Sequence, residues 1–329
     1  MELIIPAYYH SFHCLAGACP DSCCKEWTVD VDPDAAQLYR SLDGALGDRL
    51  RQVLTDTADG TVMTIEDGRC PMWRPDGLCR IQAELGHDAL CKTCREFPRL
   101  THDYGDFVEL GLELSCPEAA KLILTSPGGL LVQAQPGGTL PEYEADTMAL
   151  LRKSRKAALD FLRSTDNIPH ALAALLLYAY DVQSAIDSGE AIASAPEDCL
   201  AEVTAYRGNG DMDAIFALFR SLEILTPRWV QRLEAVPVSV SWGEPLQRLA
   251  CYLLERYWLQ AISDLDLVCR VKFAITACLL VGALGGDIIE TAQLWSKEIE
   301  NDPDNIDTLL DSAYTSPALT DSNLLALLL

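Results

Sequence analysis

From residue 142 onward, apolar residues recur every three or four positions, the signature of helices that bury one face. Met148, Leu151, Arg155, Ala158 and Leu162 share one such face. The same spacing predicts helices over 168–186, 196–206, 212–225, 227–235, 244–262, 267–284 and 288–300. Thr226-Pro227 and Asp302-Pro303 read as helix starts, because proline fits the first helical turn. Gly208-Asn-Gly210 and Gly285-Gly286 read as stops. The apolar run 273–285 is too short to span a bilayer and reads as a buried helix. About eight helices in an all-α bundle follow from this half.

The first 125 residues carry a different pattern. Trp27-Thr-Val-Asp-Val and Thr61-Val-Met-Thr-Ile alternate, which predicts short strands. Asp32-Pro33-Asp34 opens a helix that the pattern carries to about residue 54, with Asp32 as its N-cap. Gly and Pro punctuate 67–77, a loop. Ser126-Pro-Gly-Gly and Gln135-Pro-Gly-Gly flank a strand-like piece at 130–132 and mark a boundary. The expected fold class is mainly α: a cysteine-rich N-terminal metal- or cluster-binding domain (1–125) with short strands and helices, then a helical domain (126–329). No fixed-period repeat is present.

Composition narrows the class. Of 329 residues, 49% are hydrophobic, enough to bury a core without disulfide staples. The start, MELIIPAYYHSFHC, has no basic n-region and no small-residue cleavage site, so a cytoplasmic location is expected. Net charge is −24 with no basic stripe, which argues against nucleic acid and against an anionic membrane surface as partners. The acidity serves solubility, or it provides a field that draws in a cationic partner such as a lysine-bearing protein, and charge alone does not separate the two.

The chemistry concentrates in sulfur. Nine of thirteen cysteines fall between Cys14 and Cys116, opening as Cys14-x4-Cys19-x3-Cys23-Cys24 and continuing with Cys70, Cys79, Cys91, Cys94 and Cys116. In a reducing compartment such clustering points to metal rather than disulfides. Thiolates are soft, anionic ligands suited to zinc and to iron–sulfur clusters. Only Cys91-Lys-Thr-Cys94 has tight zinc-knuckle spacing, with Cys19-x3-Cys23 a looser fit. The adjacent pair Cys23-Cys24 is awkward for a knuckle and tolerable around a larger cluster. Ferredoxin spacing is absent, as is the Cys-x3-Cys-x2-Cys signature of radical S-adenosylmethionine enzymes. His10 and His13 lie close enough to complete a zinc site, or are ordinary side chains. Cys199, Cys251, Cys269 and Cys278 sit in helical apolar patterns as small hydrophobes.

Phe12-x-Cys14-x4-Cys19-x-Asp21-x-Cys23-Cys24-x2-Trp27-x-Val29-x-Val31-Asp32 resembles the opening of the flagellin lysine N-methylase family. Cys70-Pro-Met, Asp76-Gly-Leu-Cys79-Arg-Ile-Gln82, Glu84-Leu-Gly86, Thr93-Cys-Arg-Glu-Phe-Pro-Arg99 and Ser115-Cys-Pro-Glu-Ala-Ala120 continue the match. Arg256-Tyr257 and Arg270-Val-Lys-Phe273 are similar but less distinctive. The N-terminal segment also resembles a broader group of iron- or zinc-chelating proteins with a CxxxCxxxCC-type motif. The resemblance implies methyl transfer from S-adenosylmethionine to flagellin lysines. It further implies an iron–sulfur cluster of the four-iron type, with zinc as the alternative metal. Carried over by position, the ligands are Cys14, Cys19, Cys23, Cys24, Cys70, Cys79, Cys94 and Cys116. Cys91 departs from the pattern, where serine is common. Eight thiols exceed the needs of one four-iron cluster, so some are structural or a second centre exists.

Methyl transfer requires a neutral amine, so the lysine pKa must fall from about 10.4. Trp27, Trp73, Tyr8 and Tyr9 are aromatic candidates for holding cationic groups, or they pack the cysteine segment. Asp32 and Glu118 are candidate proton acceptors with capping as the rival role, since Ser115-x-x-Glu118 reads as a capping box. Glu96, Asp21 and Asp30 stay open. No Gly-x-Gly-x-x-Gly is present, so S-adenosylmethionine would bind on a scaffold unlike the doubly wound one. Two other classes remain: a non-catalytic zinc- or iron-binding interaction module, and a redox sensor.

Overall fold

The run Glu-Leu-Ile-Ile-Pro at the start forms strand β1 (Glu2–Pro6), with Ile4 and Ile5 buried. The remaining strands are β2 (Val29–Val31), β3 (Leu54–Asp56), β4 (Thr61–Met63), β5 (Arg99–Asp103), β6 (Phe107–Leu112) and β7 (Leu130–Ala134). The computed structural model describes residues 1–25 and 27–329. One sheet runs β5-β6-β1-β7 and a smaller one runs β2-β4-β3. In the larger, β1 pairs in parallel with β6 and antiparallel with β7, while β5 and β6 form a hairpin. Gly105 supplies the positive φ of +92° that its turn needs. The sequence pattern finds β2, β4 and β7 and misses β1, β3, β5 and β6. β6 is largely covered on both faces, and its one charged residue, Glu109, is buried against Arg155, so the two-residue period is lost.

Short helices connect these strands: α1 (Pro33–Ser41), α2 (Gly44–Val53), α3 (Arg80–Leu85), α4 (Lys92–Glu96) and α5 (Pro117–Thr125). The single helix expected from Asp32 to about residue 54 is in fact two. The chain breaks at Leu42-Asp43, Gly44 takes a φ of +77°, and Leu54 already belongs to β3. Arg51 donates to the Leu42 and Arg40 carbonyls that the break exposes, at 2.5 and 3.0 Å.

Among the described residues ten α-helices follow where the spacing predicts about eight: α6 (Ala145–Ser164), α7 (Ile168–Ser188), α8 (Leu200–Ala205), α9 (Met212–Arg220), α10 (Pro227–Glu234), α11 (Glu244–Tyr257), α12 (Val268–Leu284), α13 (Ile288–Ile299), α14 (Pro303–Thr315) and α15 (Asp321–Leu328). Met148, Leu151, Arg155, Ala158 and Leu162 are buried as their spacing predicts. The periodic reading runs long at several ends: α9 stops at Arg220, and α11 passes at Tyr257 into a 3-10 turn. Asp302 caps α14 through the amides of Asp304 and Asn305. α12 is buried along its whole length, at the centre of the bundle. Among the described residues no helix is long and apolar enough to cross a membrane.

Two apolar cores result. The larger joins the bundle to α5, Phe107, Leu112, Leu114 and Phe12. The smaller gathers Val29, Val31, Tyr39, Leu50, Met63, Met72 and Ile81.

Candidate metal and cofactor cavity

All nine N-terminal cysteines line one cavity of about 530 Å³ at the seam between the two cores. They include Cys14, Cys19, Cys23, Cys24, Cys70, Cys79, Cys94 and Cys116, and also Cys91. None of the thirteen cysteines forms a disulfide. Local structure explains the convergence. Cys14 and Cys19 flank a tight 3-10 turn at Ala16–Ala18. The Cys70 amide donates to the Cys24 carbonyl at 2.7 Å, so the second cysteine block is stitched to the first. Trp73 bridges Cys79 across the 70–79 loop. Cys79, Cys91 and Cys116 immediately precede α3, α4 and α5. The other four cysteines are buried, away from the cavity, as small hydrophobes.

Burial is the largest influence on Cys70, Cys79 and Cys116 and raises all three pKa values, Cys70 to about 12 and Cys116 to about 11. Nearby amides act against burial: Met72 at Cys70, Gln82 and Ile81 at Cys79, Ala119 and Glu118 at Cys116. Two pairs of thiols in the wall, Cys23–Cys24 and Cys91–Cys94, perturb each other's ionisation. Cys23 keeps its proton and Cys24 falls to about 7; Cys94 keeps its proton and Cys91 is lowered. A soft metal that replaces these protons relieves the mutual repulsion of the thiolates.

The donor set fits a cluster better than one ion. Zinc at about 2.3 Å from each sulfur draws its ligands to one point. Among the described residues no three His, Cys, Asp or Glu side chains close around a point in that way. The metal-binding domain expected from sequence is therefore not established by ligand geometry. What the fold does place is a set of nine thiols, none in a disulfide, around the wall of one cavity. His13 borders the cavity, with its Nδ1 2.9 Å from the Ser11 carbonyl. His10 packs edge-on against Tyr9 instead.

The other candidates sort by position. Trp27 lines the cavity, tilts against Phe97, and donates Nε1–H to the Cys23 carbonyl at 2.5 Å. Trp73 stacks under Arg69, and Tyr8 is buried in the larger core. Asp21 and Glu118 reach the cavity, whereas Asp30 and Glu96 are exposed elsewhere. The capping box at Ser115 is not made: Cys116 is the N-cap of α5 and Pro117 its first residue. Sequence spacing misses the far wall, formed by Lys297 and Asn301 from the end of α13. Asp21 anchors that wall, paired with Lys25 at 2.6 Å and Lys297 at 3.2 Å and accepting from Gln293 at 3.1 Å. Gln293 also donates to the Ser115 carbonyl at 2.7 Å. Nothing in the local sequence of α13 marks these residues, because their partners lie in the first third of the chain.

Asp32 is a structural carboxylate. It accepts from Ala35 N at 3.1 Å and from Lys92 N at 2.6 Å, capping α1 and also tying down the start of α4 beside Cys91. The Lys92 amide is the main reason its pKa is lowered. Asp32→Ala is expected to cost about 1–2 kcal/mol at neutral pH, read from urea denaturation. Because the folded pKa is depressed, the contribution is present above the ordinary carboxylate value of 3.8 and lost as pH falls through the folded value. The gap between wild type and variant is therefore expected to close below about pH 4; a gap unchanged at acid pH contradicts the assignment.

No family model and no solved structure matches the chain. The lysine-N-methylase of Salmonella typhimurium is 29% identical over 187 residues, covering 53% of this chain and 44% of that protein. The lysine-N-methylase of Salmonella choleraesuis matches to the same extent. The chain thus spans less than half the length of these curated relatives. The flagellar biosynthetic protein FliU of Salmonella muenchen is 32% identical over 138 residues, 38% of this chain and 78% of that protein. That coverage of FliU, with the methylase matches and the convergent cysteine blocks, places the chain in the flagellin lysine N-methylase-like family.

Proposed function

We propose that the chain is a protein-lysine N-methyltransferase that moves a methyl group from S-adenosylmethionine to lysines of flagellin. We propose further that its cysteines hold an iron–sulfur cluster of the four-iron type. The observation that carries this reading is the convergence of nine unpaired thiols on one cavity in a member of this family. Four of the thiols Cys14, Cys19, Cys23, Cys24, Cys70, Cys79, Cys94 and Cys116 would hold the cluster, and the others line the cavity beside it. Bound there, it would supply Lewis-acidic iron at a position the thiolates leave open, where it would help to hold the methyl donor.

The chain's own residues do the rest. A net charge of −24 draws the cationic lysine toward the protein. The apolar wall of Phe12, Leu15, Trp27, Leu78 and Phe97 excludes water and lowers the lysine pKa, since burial disfavours the charged amine. The Trp27 ring offers a face for a sulfonium or a methylammonium. Of the two carboxylates in the wall, Asp21 is held in its ion pairs with Lys25 and Lys297. Glu118 makes no ion pair among the described residues, and it is the carboxylate we assign to receive the lysine proton.

The test is incubation of the anaerobically purified chain with flagellin and methyl-labelled S-adenosylmethionine, followed by mass spectrometry of flagellin lysines. Labelled ε-N-methyl-lysine is expected. Unlabelled flagellin after incubation with chain of full iron content overturns the reading.

A further inference from the structure

The larger sheet ends in two edge strands, β5 and β7, and they are built differently. β5 carries exposed charge at Arg99 and Asp103, an ordinary guard against pairing with another chain. β7 reads Leu-Leu-Val-Gln-Ala, with no charge and no proline. Its Leu131 and Val132 are 47% and 60% exposed. The uncharged stretch is much longer than the strand. The twenty residues 122–141 include no Asp, Glu, Lys or Arg, in a chain where those types make up 22%. An exposed apolar edge without guards is a template for another strand.

The backbone sets the register of that second strand. Gln135 N donates to the Met1 carbonyl and Ala7 N to the Gly129 carbonyl, each at 3.0 Å. Between them β1 and β7 run antiparallel, with Ile4 opposite Val132 and Pro6 opposite Leu130. Bonded and unbonded pairs alternate in such a ladder, so Leu131 and Gln133 bond toward β1 while the amides and carbonyls of Leu130, Val132 and Ala134 point outward. Pro6, which has no N–H, accordingly faces an outward-bonding residue. Among the described residues no strand lies on that outer side. Three outward positions two residues apart, with Val132 in the middle, are self-complementary under a two-fold axis. Val132 meets its own copy, and Leu130 meets Ala134 of the other chain. Each outward donor then finds an acceptor, about six bonds in all. The sheet continues through eight strands, four from each copy.

We infer that two copies of the chain associate through β7, antiparallel across a two-fold axis at Val132. Charge selects this occupant. Each copy carries −24, so two copies repel wherever acidic surfaces face each other, and the uncharged edge is where they approach without that cost. A lysine-rich partner gains from acidic surface and has no electrostatic reason to seat on a stretch without charge. Packing agrees. Val132 lies on the same face of the sheet as Ile4, a member of the larger core, but beyond the rim of that core, and its copy extends the apolar face there. The contact is isologous and closes on itself, so it stops at a dimer. The inference is independent of metal binding and of methyl transfer.

The experiment is sedimentation velocity of the full chain from about 1 μM to about 1 mM, the span of weak association. A reversible monomer–dimer equilibrium that tightens with added salt is expected, because salt screens the repulsion between two anionic copies. Amide exchange of Leu130, Val132 and Ala134 should slow as protein concentration rises. Val132→Lys sets like charges opposite each other across the axis, and Val132→Pro removes the central donor while leaving the bonds to β1. Each should weaken dimerisation at least about tenfold. Thr101→Lys, on the β5 edge, should leave it unchanged. A monomer throughout the range overturns the inference, as does a dimer that both Val132 variants leave intact. Protection of these amides only when flagellin is added to a chain that stays monomeric assigns the edge to a strand of that partner and also overturns self-association. The wild-type equilibrium and its amide protection decide even where a variant does not fold.

Discussion

Arg256→Ala is expected to destabilise the protein by about 3–5 kcal/mol. Arg256 lies on α11, and its guanidinium meets the Glu300 carboxylate at 3.1 Å and donates to the Tyr252 hydroxyl at 2.6 Å. Tyr257 donates to the same carboxylate at 2.9 Å. The Glu300 side chain is 1% exposed, so truncating Arg256 leaves a buried anion without its cation. Burial disfavours the charged form of Arg256, but Glu300, Tyr252, Tyr257 and Glu113 together outweigh it and the guanidinium pKa is raised. The network also reaches the cavity, because the Leu114 amide donates to Tyr252 at 3.3 Å, two residues before Cys116. Urea denaturation measures the loss. The double variant Arg256→Met with Glu300→Leu removes both charges and is expected to lose less than Arg256→Ala alone. A cost below about 1 kcal/mol for Arg256→Ala, typical of an exposed pair, contradicts the assigned role.

Removing the iron is expected to lower methyl transfer at least about 100-fold, beyond the 10–100-fold that loss of outer-shell partners costs a metal site. The effect is large because the thiols are the wall of the proposed reaction cavity, not a remote brace. Without metal, Cys23 and Cys94 keep their protons, and the sulfur side of the cavity becomes a set of largely protonated thiols. The bundle does not depend on that chemistry. Its core is built on α12, buried along its length, and on Trp229, Trp258 and Trp295. Iron removal should therefore spare the helical circular dichroism signal while loosening the smaller core, to which Cys70 and Cys91 belong.

The helical half was legible because its helices bury one face and expose the other. Where that asymmetry disappears, as along α12, length and the glycine stop at Gly285-Gly286 still mark the element. Strands β1, β3, β5 and β6 were not legible. β1 is a short continuous apolar run, and β6 is covered on both faces, so neither alternates. The single helix read across 33–54 ignored Asp43-Gly44, a turn whose positive φ only the structure reveals. That the nine N-terminal cysteines would come together was legible from their spacing, and the structure gathers them around one cavity without closing three of them on a point. The opposite wall of the cavity was not legible. Asp21 belonged to the matching cysteine block, but its partners Gln293 and Lys297 are ordinary helical residues far along the chain. Asp32 was read correctly as a cap, and its second role at Lys92 N depends on a tertiary contact. The Ser115-x-x-Glu118 pattern failed because the helix begins one residue later, which leaves Glu118 at the cavity edge.

The account depends on iron held by these thiols serving methyl transfer. The direct measurement compares three preparations of the same chain for label transferred from S-adenosylmethionine to flagellin lysines: anaerobic holoprotein, protein stripped by chelator, and stripped protein rebuilt with iron and sulfide. Circular dichroism of each confirms that the bundle is intact. Transfer that disappears on stripping and returns on rebuilding is the predicted result. Equal transfer by stripped and holo protein, with the fold preserved in both, contradicts it.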